Sequence, residues 1–137
     1  MDIMKKISFL LLFGLLLLAG CSSKSPGEVA VLLFNSITEG NVENVKENIH
    51  FSNSDEYDVF CEYLDMVVAS DEYRSRTVGY KANYQVVSET VNGETAEVVL
   101  AGYTVLRQRT RFNVQLVKVN GEWKVNGDQS VLHGAGR

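Results

Sequence analysis

Proline occurs once, tryptophan once, and histidine and cysteine twice each in this 137-residue chain, and each scarcity closes off a class of protein. With Pro26 as the lone proline beside 11 glycines, the composition is not that of a proline- or glycine-rich disordered chain. His50 and His133 stand far apart, without a cysteine pair near either, so no ligand spacing for a metal is present. No glycine-rich phosphate loop occurs, and no cofactor is expected. Lys and Arg number 13 against 17 Asp and Glu, a net charge of −4, which lacks the basic footprint of a nucleic-acid partner. Length favours one domain, since typical domains run roughly 100 to 200 residues.

Long apolar runs are also few, and the one present is diagnostic. Lys5 and Lys6 precede residues 7–20, a 14-residue stretch dominated by leucine. That is short of the ~20 residues needed to cross the hydrocarbon core, and a positive start, an apolar middle and a small-residue end make the layout of an export signal. Leu18, Ala19 and Gly20 before Cys21 resemble the bacterial lipobox, with the first three as the signal-peptidase recognition residues. The resemblance implies cleavage before Cys21, a diacylglyceryl group on its sulfur and an acyl chain, such as palmitate, on its new amino terminus. Several acyl chains anchor stably where one would not.

The expected layout is a signal peptide at 1–20, an acylated tether at 21–25, a domain at 26–127 and a tail at 128–137. Without residues 1–20 the chain keeps 11 basic and 16 acidic side chains, net −5. Ser22 in place of an aspartate, together with the lack of an acidic run after Cys21, favours an outer-membrane lipoprotein facing the periplasm. Residues 22–25 reach at most about 14 Å.

Ser25-Pro26-Gly27-Glu28 reads as a capping box with proline at the first helical position. Ala30, Leu33, Phe34 and Ile37 then mark a helical stripe that ends at Gly40. Asn41 caps a second helix with Val42, Val45 and Ile49 on one face, ending near His50 and Phe51. A third starts after Ser52-Asn53-Ser54, carries Tyr57, Phe60, Cys61, Leu64 and Val68, and ends near Ser70. From about Thr77 the period becomes two, with Tyr80, Ala82, Tyr84 and Val86 on one strand face. A two-residue turn at Asn92-Gly93 would pair Glu94 with Val91, Val99 with Val86 and Ala101 with Tyr84. A second at Asn120-Gly121 would pair Trp123 with Lys118 and Val125 with Leu116. The segment near Arg107-Gln108-Arg109 must turn as well, although no Gly or Pro marks it.

Three helices and then four antiparallel strands make an α+β domain, helices on a curved sheet. Ser25-Pro-Gly-Glu-Val29, Glu39-Gly-Asn-Val-Glu43 and Val114-Gln-Leu-Val-Lys-Val-Asn-Gly-Glu-Trp-Lys-Val125 resemble the DUF4878 lipoproteins over about residues 25–127. These are similar to the lumazine-binding-like and NTF2-like group, so the resemblance implies a cystatin-like cone with helices in the hollow of the sheet.

Such a cone could hold a pocket lined by Tyr57, Tyr80, Tyr84, Tyr103, Phe112 and Trp123, although aromatics serve plain cores as readily. Asp58, Glu62 and Asp65 fall off the apolar face of the third helix, as a solvated stripe. Cys61 falls on it, as a small hydrophobe rather than a nucleophile. Arg107, Arg109 and Arg111 alternate and can share a face toward an anionic partner, or simply end a solvated strand. No catalytic residue is assigned, and no enzyme is expected. The expected function is a lipid-anchored domain that binds a small ligand or another envelope component. Alternatives are a structural lipoprotein that homodimerises through Val87, Val98, Leu100, Val117 and Val119 on the opposite sheet face, and an NTF2-like enzyme of isomerase or dehydratase type.

Overall fold

A computed structural model of the chain describes residues 23–104 and 106–131. The export signal, the cut site, Cys21 and His133 lie outside the described residues. Helix α1 (Pro26–Glu39) begins as its capping box dictates: the Glu28 N–H donates to Ser25 Oγ at 3.2 Å, and the Ser25 N–H donates to Glu28 Oε2 at 3.1 Å. It ends at Gly40, whose φ of 75° admits the left-handed cap. Asn41 caps α2 (Val42–Glu47) and Asn53 caps α3 (Ser54–Ala69), each accepting a backbone N–H near the start of its helix.

Ser70 closes α3 and caps a further helix, α4 (Asp71–Thr77), in the stretch that periodicity leaves unassigned before the strand expected from about Thr77. Without an apolar stripe, α4 gives no periodic signal. Its signature is the Ser70 cap, which accepts the Tyr73 N–H at 3.2 Å, followed by Asp71 and Glu72 in the first turn. The first long strand therefore starts at Gln85, not near Thr77.

The sheet contains β1 (Ile49–His50), β2 (Gln85–Asn92), β3 (Thr95–Tyr103), β4 (Arg109–Val119) and β5 (Glu122–Asn126), in the order β1-β5-β4-β3-β2. A π-helical turn, Gly127–Val131, follows. Five strands replace the expected four because Ile49 and His50 leave α2 and run parallel to β5, with Ile49 opposite Val125. The Val125 N–H donates to the Asn48 carbonyl at 2.8 Å, which fixes that departure.

The two hairpins part company. At β4–β5, Asn120 (φ 52°) and Gly121 (φ 80°) both take left-handed geometry, and Lys118–Trp123 and Leu116–Val125 pair as the two-residue turn requires. At β2–β3 only Gly93 is left-handed (φ 64°); Asn92 pairs with Thr95, so Gly93 and Glu94 form the turn. Moving the turn by one residue shifts the pairing by two and keeps the faces; what turns β3 over against Val86 is one extra residue in β2. Ala96, Val98 and Leu100, not Val99 and Ala101, face the hollow, and Val98 and Leu100 are 0 % exposed. A bulge between Val86 and Ser88 then brings Val86 opposite Leu100. Val98 and Leu100 therefore cannot belong to an outer dimerisation face; they are core.

That core joins Val29, Ala30, Leu33 and Phe34 of α1 to Val98, Leu100, Val114, Leu116 and Val125 of the sheet, with Val45, Ile49, Phe51 and Leu64 around its edge.

Candidate functional site

The six aromatics expected to line one pocket go to separate places. Tyr84 and Phe112 close on Phe34, with ring centroids 4.8 to 6.2 Å apart in edge-to-face contact. Such interlocked rings fill space instead of enclosing it. Burial pushes the Tyr84 hydroxyl above its ordinary value. Tyr57 leans on Phe51 at 6.3 Å and donates its hydroxyl to the Lys46 carbonyl at 3.1 Å. Tyr80 donates to the Tyr103 carbonyl at the far end of the sheet. Trp123 lies beneath the Lys118 ammonium, 5.5 Å from the ring centre.

A cleft forms elsewhere, where α3 leaves the body of the domain. It measures about 970 Å³ and lies between Phe51, Val59, Phe60 and Tyr63, with Asp55, Glu56 and Asp128 along its rim. Phe51 is held from two sides. The Phe60 ring lies 5.3 Å away, and the backbone of Gly127 comes so close that a Cβ there would sit 2.5 Å from the Phe51 ring. Asp128 accepts from the Ser52 N–H at 3.2 Å and from the Ser52 hydroxyl, tying the turn after β5 to the start of α3.

Val59 and Tyr63 extend outward to Met66, a second apolar stripe at i, i+4 and i+7, and all three are at least 60 % exposed. The sequence reading took only the inward stripe of α3. The outward one carries the same helical spacing and was the available signal. Sequence places Phe51 only at the end of the second helix, because nothing local shows that it is clamped by Gly127.

The polar groups of α3 face water. Asp58, Glu62 and Asp65 are exposed, as expected for a solvated stripe. Asp65 pairs with Lys46 at 3.2 Å, and this hydrogen bond raises the Lys46 pKa above its ordinary value. Cys61 is half-buried beside Tyr57, whose hydroxyl pKa is raised by burial and then by its hydrogen bond with Cys61. Among the described residues no three of His, Cys, Asp and Glu gather as metal ligands, and no helix is long and apolar enough to cross a membrane. Two further grooves are smaller. One of about 630 Å³ runs between α1 and β2 past Val31, Asn35, Val86 and Glu89. The other, about 320 Å³, joins Lys24 to Trp123 and Lys124.

The family described as Domain of unknown function (DUF4878) matches residues 19–126. A Campylobacter jejuni protein, whose crystal structure carries the provisional description NTF2-like transpeptidase, is 20 % identical with a TM-score of 0.59. The match covers 75 % of this chain and 98 % of that one, and it establishes a shared NTF2-like fold. A de novo designed protein with a curved β-sheet is 19 % identical, with a TM-score of 0.41, over 71 % of this chain and 90 % of the design. Comparison with curated proteins gives no match.

Proposed function

The chain belongs to the DUF4878 family, and from that premise we propose that it is a lipid-anchored envelope lipoprotein whose NTF2-like domain binds an apolar ligand in the cleft beside α3. The cleft carries the binding part of this reading. Its walls are aromatic and aliphatic, which suits burial of an apolar body. Its rim carboxylates, Asp55, Glu56 and Asp128, favour a neutral or cationic polar end over an anionic one. Asp55 and Glu56 are exposed and Asp128 is engaged with Ser52, so none is a desolvated acid or base, and the domain acts by binding rather than catalysis.

The anchor is supported by Lys5, Lys6, the apolar residues 7–20 and the small residues before Cys21. The family match starts at residue 19 and so takes in Cys21. Ser22 directs the reading to the outer membrane, with the domain in the periplasm.

Native mass spectrometry of the lipoprotein extracted from its membrane tests both parts. The expected result is an acylated mass beginning at Cys21 and a carried apolar ligand that is lost in a Tyr63→Ser variant. An unmodified Cys21 would remove the anchor, and a ligand retained equally by Tyr63→Ser would remove the cleft. A second reading is favoured by the stripe Val59, Tyr63 and Met66: two copies meeting along α3. A dimer that carries no added mass would establish it instead.

A further inference from the structure

The charges of this acidic chain are sorted. Residues 73–88 and 98–121 contain Arg74, Arg76, Lys81, Arg107, Arg109, Arg111 and Lys118 and no Asp or Glu. The topology brings six of these seven to one end of the domain. There β3 finishes at Tyr103 and β4 begins at Arg109, its partner, with Arg111 opposite Ala101. Residues 78–84 cross this end: Asn83 Oδ1 accepts the Tyr103 N–H at 3.1 Å, and the Tyr80 hydroxyl donates to the Tyr103 carbonyl. Tyr80 in turn donates its N–H to Thr77, the last residue of α4, the helix that carries Arg74 and Arg76.

All six cations are exposed. Arg76 pairs with Glu72 at 2.8 Å; among the described residues the other five have no ion pair. Arg109 and Arg111 alternate with the inward-facing Thr110 and Phe112, so both stand on the outer surface of the sheet, roughly 7 Å apart along the strand. Tyr103, 43 % exposed, sits directly across from Arg109. Arg107 takes a left-handed φ of 62° in the turn between the strands. Asp71 and Glu72 are the acidic residues of α4 itself; outside this end, the described residues keep four basic side chains against 14 acidic ones. The domain is therefore strongly polar in charge, and its field draws a polyanion to one end and repels it from the rest.

We infer that this end binds a carboxylate-bearing polysaccharide. Guanidinium forks pair with carboxylates in bidentate geometry, and repeated carboxylates on one chain match repeated arginines. The exposed Tyr103 ring, on the strand beside Arg109, offers an aromatic surface to the apolar side of a sugar. Anionic lipid is the other common polyanion, and geometry disfavours it. Lys24 sits beside Trp123, and Trp123 pairs with Lys118 near the other end of β4, about 30 Å from Arg109 at the usual strand rise. This last step, unlike the charge argument, rests on the anchored reading: a bilayer holding Cys21 would face the end opposite the arginines.

The test uses the full chain purified in neutral detergent, with polygalacturonate, neutral dextran and phosphatidylglycerol vesicles as probes. Polygalacturonate is expected to bind, dextran not, and affinity to fall steeply with salt. Arg109→Glu with Arg111→Glu should weaken binding roughly tenfold or more without moving Tm, whereas Lys118→Glu, at the other end of β4, should leave it unchanged. Arg109→Lys with Arg111→Lys should retain only part, because the charge stays and the fork is lost. Equal binding by the Arg→Glu pair, or equal retention on dextran, would overturn the proposal. Arginine-dependent preference for phosphatidylglycerol vesicles would replace the glycan with lipid. Failure of Cys21 to carry acyl groups would remove the anchor and leave the polygalacturonate result standing.

Discussion

Helices α1 and α3 carry similar inward stripes, yet α1 buries eight of its 14 residues and α3 one of its 16. The difference lies in what each finds beneath it. Helix α1 packs against β2, β3, β4 and β5. Helix α3 packs against α2 and α4, and on its side the sheet ends in β1, a strand of two residues. An amphipathic stripe tells which way a helix faces; the partner surface decides how much it buries. The half of the molecule with spare surface is also the half that holds the cleft.

Variants at Leu33, Gly127, Tyr84 and the Val59–Tyr63 pair test this division. Leu33→Ala, at a fully buried position under α1, should cost about 4 kcal/mol of unfolding free energy in urea. A loss below that of Leu64→Ala, the buried residue of α3, would erase the contrast. Gly127→Ala should cost about 2 kcal/mol and close the cleft, because the Phe51 ring must move from the new methyl group. A crystal structure of that variant with Phe51 unmoved would contradict it.

Tyr84→Phe is expected to act only in alkali. Burial raises the Tyr84 pKa above its ordinary 10.0, so the folded state favours the neutral phenol. Its contribution is complete below the unfolded pKa and is lost as pH rises through the folded one. Thermal melts above about pH 10 should therefore decline less steeply in the variant, and parallel declines would place the alkaline loss elsewhere. The smallest effect belongs to Val59→Ser with Tyr63→Ser, which should shift stability by less than about 0.5 kcal/mol per site while abolishing ligand or self-association. A large stability loss there would mean that the outer stripe of α3 is core.

Much of the fold was legible in local chemistry. Ser25, Glu28 and Gly40 delimit α1 by satisfying its ends, and Asn120-Gly121 dictates its hairpin because both residues tolerate left-handed backbone. Asn92-Gly93 carries the same letters, but its turn is displaced by one residue, so Val91 faces Ala96 rather than Glu94, and a bulge after Val86 changes which β3 residues share its face. Period two cannot reveal that bulge, since the odd and even positions of β3 are both rich in apolar residues. Ile49 fitted a helix stripe equally well, and only β5, some 75 residues on, recruits it to the sheet. The cleft was hidden for the same reason: Phe51 and Gly127 meet only in the fold. Arg107, Arg109 and Arg111 were visible as one alternating set, but Arg74, Arg76 and Lys81 join them only because residues 78–84 cross the end of β3.

The first turn of α1 has a mechanical consequence. The Gly27 N–H donates to Glu89 Oε1 at 2.6 Å, and Val86 packs against Gly27, so the start of the helix is bolted to β2. Tension on the residues before Ser25 enters the domain through that bolt and spreads into the hydrogen-bonded sheet, instead of peeling α1 away from its free end. Whatever holds the chain from that side holds a stiff body, and motion between holder and domain is confined to the few residues before the helix.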